Sequence, residues 1–132
     1  MSQIRGKVVF EGDMKFRASV GESSIEMSED GLKPMEAVLL AAGTCTAMDI
    51  VAIIRKAGYE VQGMEVELEA DREEKYPKVF REIRIIYRVR GNIPEELVKK
   101  AIEMSQNRYC SVGIMLKRGG VKVVTSFHVI NA

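Results

Sequence analysis

The sequence predicts an α+β fold, and three features of its patterning carry that reading. A long apolar run, residues 34–57, opens on Pro34 and closes before Gly58, which marks a helix with legible ends. Segments on both sides of it alternate apolar and polar residues with the period of strands. A shorter segment, residues 92–107, repeats its apolar residues at helical spacing. The implied order is β-β-β-α-β-β-α-α-β in a single domain, residues 1–132, a length that supports one core of ordinary size.

Taken in order, residues 3–11 end in a β-branched and aromatic cluster, Gly12-Asp13 is turn chemistry, and Lys15 to Val20 returns as the second strand of a hairpin. Ser24 to Ser28 sets Ile25 and Met27 between polar neighbours, a third short strand, and Glu29-Asp30-Gly31 turns the chain towards the helix. Within residues 34–57 the apolar positions, among them Val38, Leu39, Ala42, Cys45, Met48, Ile50 and Ile54, are too many for one stripe. The helix is therefore expected to be central and buried on most of its circumference. A membrane span is the rival reading of such a run, and Glu36 and Asp49 within it argue against that, because an acid inside a bilayer is costly.

After the helix, Tyr59 to Ala70 alternates Val61, Met64, Val66 and Leu68 against four glutamates, a half-exposed strand with an irregularity expected at Gly63. The charged run Asp71 to Lys75 reads as a solvated connection, and Lys78 to Arg90 as the partner strand. Residues 92–107 carry Glu95 and Glu96 first and Lys99 and Lys100 later, the sense that the helix dipole favours. Ser111 to Lys117 reads as a short helix stopped at Gly119-Gly120, and Val121 to Ile130 as a last strand.

Composition excludes several classes of function. Twenty basic and nineteen acidic residues give a net charge of +1, so no one-sided basic field favours nucleic acid or an anionic membrane. The N-terminus reads as a polar strand rather than a signal peptide, which gives a cytoplasmic expectation. A charged content of 30% leans towards a thermophile composition. Two cysteines far apart in sequence are not a secreted disulfide framework, and with the single His128 they offer too few ligands for a zinc site, so no metal or cofactor is expected.

The two thiols differ in setting. Cys45 sits in mid-helix, beyond the reach of the helix dipole, so reactivity there requires a cation from elsewhere: Lys15, Arg17 or Arg108. Cys110 stands at the start of a short helix, where free backbone N–H groups are placed to stabilise a thiolate. Asp49 shares a helix face with Cys45 and would raise a thiol's pKa; a bond within the fold is its expected role. Met14, Met27, Met35, Met48 and Met115 read as core filling before pocket lining. The plain alternative is that both cysteines are inert core residues.

Pro34-Met35-Glu36-Ala37 followed by Ala41-Ala42-Gly43-Thr44-Cys45-Thr46, together with Arg108-Tyr109-Cys110-Ser111-Val112, resembles the OsmC/Ohr family of thiol-dependent peroxide reductases. The likeness covers nearly the whole chain. It implies the OsmC-like fold as an intertwined homodimer, with Cys45 attacking the peroxide, becoming a sulfenic acid and condensing with Cys110 before a dithiol reductant restores the pair. The resemblance also implies a thiolate-stabilising arginine, for which Arg17 is the nearest counterpart, and a glutamate, for which Glu36 is offset by one position because Met35 stands at the family's site. The site set is thus Cys45, Cys110, Arg17 and Glu36. Apolar surroundings of Cys45 favour organic hydroperoxides as substrate. The alternatives are a non-enzymatic module that binds a small apolar ligand or senses redox state, and a disulfide kept for stability alone.

Overall fold

The computed structural model describes residues 2–131, which form two compact units meeting in sequence between Val38 and Leu39. The first unit carries three antiparallel strands, β1 (Lys7–Phe10), β2 (Lys15–Val20) and β3 (Ser23–Ser28), ordered β1-β2-β3 with Phe10 opposite Phe16 and Phe16 opposite Met27. Asp13 and Met14 take positive φ in the tight β1–β2 turn. Val8, Met14, Phe16, Ala18, Met27 and Pro34 line an apolar cleft of about 600 Å³ in this unit, so two of the methionines read as core filling face a cavity instead.

Helix α1 (Pro34–Lys56) starts in the first unit and runs through the second. Its N-terminus is held by Glu36, whose carboxylate accepts a 2.9 Å hydrogen bond from the Lys33 N–H, one half of a capping box. By length and composition it is the one helix among the described residues long and apolar enough to cross a membrane. Within the chain it buries one stripe, Ala42, Gly43, Thr46, Ile50 and Ile54, at intervals that keep a single face inward. Leu40 and Met48 remain 51% and 69% exposed. The expected burial around most of the circumference is therefore corrected to burial along one face in the single chain.

That face lies on the second unit's sheet, ordered β4-β5-β6, where β4 (Gly63–Arg72) pairs antiparallel with β5 (Phe80–Arg90) and β6 (Lys122–Ile130) joins β5 in parallel. A Cβ placed on Gly43 would come within 2.5 Å of Leu68 Cδ1, so the missing side chain lets helix and sheet approach. Strand β5 turns Ile83, Ile85, Tyr87 and Val89 inward, all buried. Its opposite face pairs Arg84 with Asp71, Glu82 and Glu69, and Arg88 with Glu65 and Glu67, along the exposed strands.

Strand β4 departs from the sequence reading at both ends and in its irregularity, and it begins at Gly63 rather than Tyr59. Strand β4 takes in Asp71 and Arg72, because Arg84 grips both carboxylate oxygens of Asp71 at 3.0 and 3.1 Å and Arg72 Nε donates to the Lys78 carbonyl at 2.9 Å. The irregularity falls between Asp71 and Arg72, not at Gly63, which pairs regularly with Arg90.

A parallel β6 requires a crossover from β5, and α2 (Glu95–Met104), a π-helical turn (Ser105–Tyr109) and α3 (Ser111–Arg118) supply it. Helix α2 begins after Pro94 and buries Val98, Ala101 and Ile102. It is shorter than its periodicity suggests because the chain widens into the π turn, where the Cys110 N–H bonds to the Ser105 carbonyl at 2.7 Å.

Candidate active site

In the second unit Cys45 of α1 lies close enough to Cys110, at the head of α3, to raise the pKa of its thiol. Both are free thiols; Cys45 is half-buried and Cys110 fully buried. Cys110 is the N-cap of α3, and its sulfur accepts a hydrogen bond from the Gly113 N–H at 3.3 Å. This confirms the helix-start position, but the expected thiolate stabilisation is outweighed. Burial pushes the Cys110 thiol up to about 11, the Gly113 N–H opposes that, and Cys45 and the Asp49 carboxylate add to the rise.

Beside the thiols lies a buried chain of hydroxyl groups. Thr46 Oγ1 stands 2.7 Å from Tyr87 Oη and 2.8 Å from Ser105 Oγ, and Ser105 Oγ donates to Asp49 Oδ2 at 2.9 Å. Asp49 thus bonds within the fold. Gln106 Nε2 donates to Thr46 Oγ1 at 3.2 Å and to Tyr87 Oη at 3.1 Å. Burial raises the Tyr87 hydroxyl's pKa, with Thr46 and Gln106 partly offsetting it, so the phenol stays protonated. Lys117 Nζ donates to the Gln106 carbonyl and fastens α3 to the π turn. Asp49 also opens onto a groove of about 530 Å³ lined by Ala52, Ile53, Lys56, Met104 and Tyr109.

Arg17, on β2, pairs with Glu11 and Glu26 at 3.7 Å each, in the first unit. Glu36 caps α1. Arg108 lies over the Tyr109 ring, 5.5 Å from its centroid.

Residues 27–126 match the family described as OsmC-like protein. The chain belongs to the OsmC family. Protein YhfA of Escherichia coli strain K12 is 38% identical over 100 residues, covering 75% of this chain and 74% of YhfA. The crystal structure of a hypothetical protein from Aquifex aeolicus VF5 superposes with a TM-score of 0.95 at 30% identity, over 100% of this chain and 99% of that one. An organic hydroperoxide resistance protein from Legionella pneumophila shares the fold at a TM-score of 0.68 and 14% identity, over 98% of each chain.

In this OsmC-like chain the residues that the sequence reading missed are Tyr87, Ser105, Gln106, Gly113 and Lys117. Tyr87 reads as one more inward strand residue, and the others sit in a stretch with no motif beyond the cysteine. One signal was present: a tyrosine on the buried face of a strand calls for a hydroxyl partner.

Proposed function

We propose that this OsmC-like protein reduces organic hydroperoxides through Cys45 and Cys110. The observation that carries the reading is the unequal pair of neighbouring thiols, the outer one half-exposed and the inner one kept protonated by burial. Cys45 attacks the outer peroxide oxygen, the O–O bond breaks, and the alkoxide leaves as the alcohol after taking a proton. The sulfenic acid condenses with Cys110 to a disulfide and water, and a dithiol reductant returns both thiols.

Family membership supports this reading, as does the hydroperoxide resistance for which the Legionella protein is named. The resemblance adds Arg17 and Glu36 to the set and a homodimer, and the polar N-terminus supports a cytoplasmic setting. The apolar residues exposed in one chain, Leu40 and Met48 on α1 and Ile4, Val8 and Phe10 in the first unit, support the homodimer. A coupled assay with cumene hydroperoxide and a dithiol tests the activity: turnover should vanish in Cys45→Ser, and parental turnover in that variant would refute it.

A second reading, a module that binds a small apolar ligand, draws on the groove of about 580 Å³ between α1 and β4, lined by Leu40, Met48, Val51, Met64, Val66 and Leu68. Ligand binding by a protein whose thiols resist both peroxide and alkylating reagents would favour it.

A further inference from the structure

The hydroxyl chain beside the thiols has a fixed direction. Ser105 spends its one hydrogen on the Asp49 carboxylate, so the 2.8 Å bond to Thr46 is donated by Thr46. Thr46 has then spent its own hydrogen, so Tyr87 donates the 2.7 Å bond between them. Both Thr46 Oγ1 and Tyr87 Oη are left as acceptors towards Gln106, and only the NH₂ end of the amide can satisfy them. The polarity set at Asp49 thereby decides which end of the Gln106 amide points the other way. That end is Oε1.

Gln106 is more than nine-tenths buried, and its Oε1 is a buried acceptor with no donor. An orphan of this kind is destabilising and calls for a reason. A Cβ on Gly113 would stand 3.6 Å from this oxygen and 3.1 Å from Cys110 Sγ, so oxygen and sulfur flank one notch that the glycine leaves open. Cys110 Sγ already accepts the Gly113 N–H at 3.3 Å, which leaves its own hydrogen to be directed. Attack on a sulfenic acid at Cys45 requires a lone pair of Cys110 to face it, with that hydrogen directed elsewhere.

We propose that Gln106 is a positioning residue for disulfide closure, its free Oε1 accepting the Cys110 S–H after Cys45 is oxidised. With the hydrogen drawn towards Oε1, a sulfur lone pair of Cys110 faces the electrophilic sulfur of Cys45. In the closing step the S–S bond forms, the Cys45 S–O bond breaks, and hydroxide leaves carrying the Cys110 proton as water. Gln106 neither gains nor loses a proton. The role rests on the thiol-peroxidase reading above and adds to it the group that aims the second thiol.

The test is a single turnover with stoichiometric cumene hydroperoxide, following the dimedone adduct of Cys45 and the Cys45–Cys110 disulfide by mass spectrometry. Gln106→Met keeps the length of the side chain and removes the oxygen. Gly113→Ala leaves the hydroxyl chain intact and puts a methyl into the notch. Both variants should oxidise Cys45 at the parental rate, close the disulfide about tenfold more slowly, as the loss of one hydrogen bond implies, and accumulate the adduct. A merely structural role would slow both steps or neither. If Gln106→Met does not fold, Gln106→Leu replaces it, because the Gly113→Ala methyl would also press on Cys110 Sγ. Closure at the parental rate overturns this proposal and leaves the peroxidase reading standing, whereas a parent that forms neither adduct nor disulfide overturns both.

Discussion

Cys45 of α1 lies close enough to Cys110, at the head of α3, to raise its pKa, and only Cys110 is fully buried. The inequality assigns them different parts. Replacing Cys45 by Ser should abolish peroxide consumption, while Cys110→Ser should still consume stoichiometric peroxide and stop at a trappable sulfenic acid. Intact-mass measurement with and without dimedone distinguishes the two, and peroxide consumption by Cys45→Ser at the parental rate would contradict the assignment.

Burial of the Cys110 thiol also makes a prediction for stability against pH. Its folded pKa, about 11, lies above the ordinary thiol value, so over that interval the folded chain holds a proton that the unfolded chain has released. The sign follows: this contribution is complete below the ordinary thiol pKa, about 8.5, and is lost as pH rises through that value towards the folded one. Urea midpoints measured between pH 8 and 11 should fall more steeply for the parent than for Cys110→Ala. Parallel curves would show that the thiol is not desolvated.

Tyr87→Phe removes the hydroxyl that donates to Thr46 and accepts from Gln106. Leaving buried partners unpaired should lower the unfolding free energy by about 1–3 kcal/mol. Thr46→Val should cost a similar amount, and because both act on one chain the double variant should lose less than the two single losses combined. Additive losses in chemical denaturation would mean that the groups do not act as a network.

Gly91 leaves β5 at φ 148°, and a Cβ there would stand 2.8 Å from the Glu60 carbonyl oxygen, a backbone atom that cannot swing aside. Gly91→Ala should therefore destabilise by about 1–3 kcal/mol. A thermal midpoint within a degree of the parent would show that the strand end shifts freely.

Met48, 69% exposed on an otherwise apolar helix, is a probe of the proposed homodimer. The parent should sediment as a dimer at micromolar concentration, and Met48→Glu should shift it towards monomer by burying a charge at an apolar contact. A parent that is monomeric throughout would remove the dimer from the proposal.

Local pattern carried the sequence reading far. Pro34 and Gly58 bracket α1, the alternation around Leu68 and Ile85 marks β4 and β5, and Cys110 stands at a helix start as its neighbours suggest. These features are legible because the periods of helix and strand are properties of the backbone, written into consecutive residues. The reach of β4 to Arg72 was not legible, because a charged run reads as solvated unless its partner is known. Arg84, thirteen residues on, is that partner. The π turn was equally hidden, since its effect is on the direction of Cys110 rather than on periodicity.

By itself the sequence determined the α+β order of elements, the OsmC resemblance and the identity of the two thiols. Tertiary structure alone decided that Cys110 is the buried, protonated partner, that α1 buries a single face within the chain, and that Asp49, Ser105, Thr46, Tyr87 and Gln106 form one directed chain beside the sulfurs. The reason is physical. Burial and hydrogen-bond closure depend on which distant segments meet and in what register, and no window of neighbouring residues contains that information.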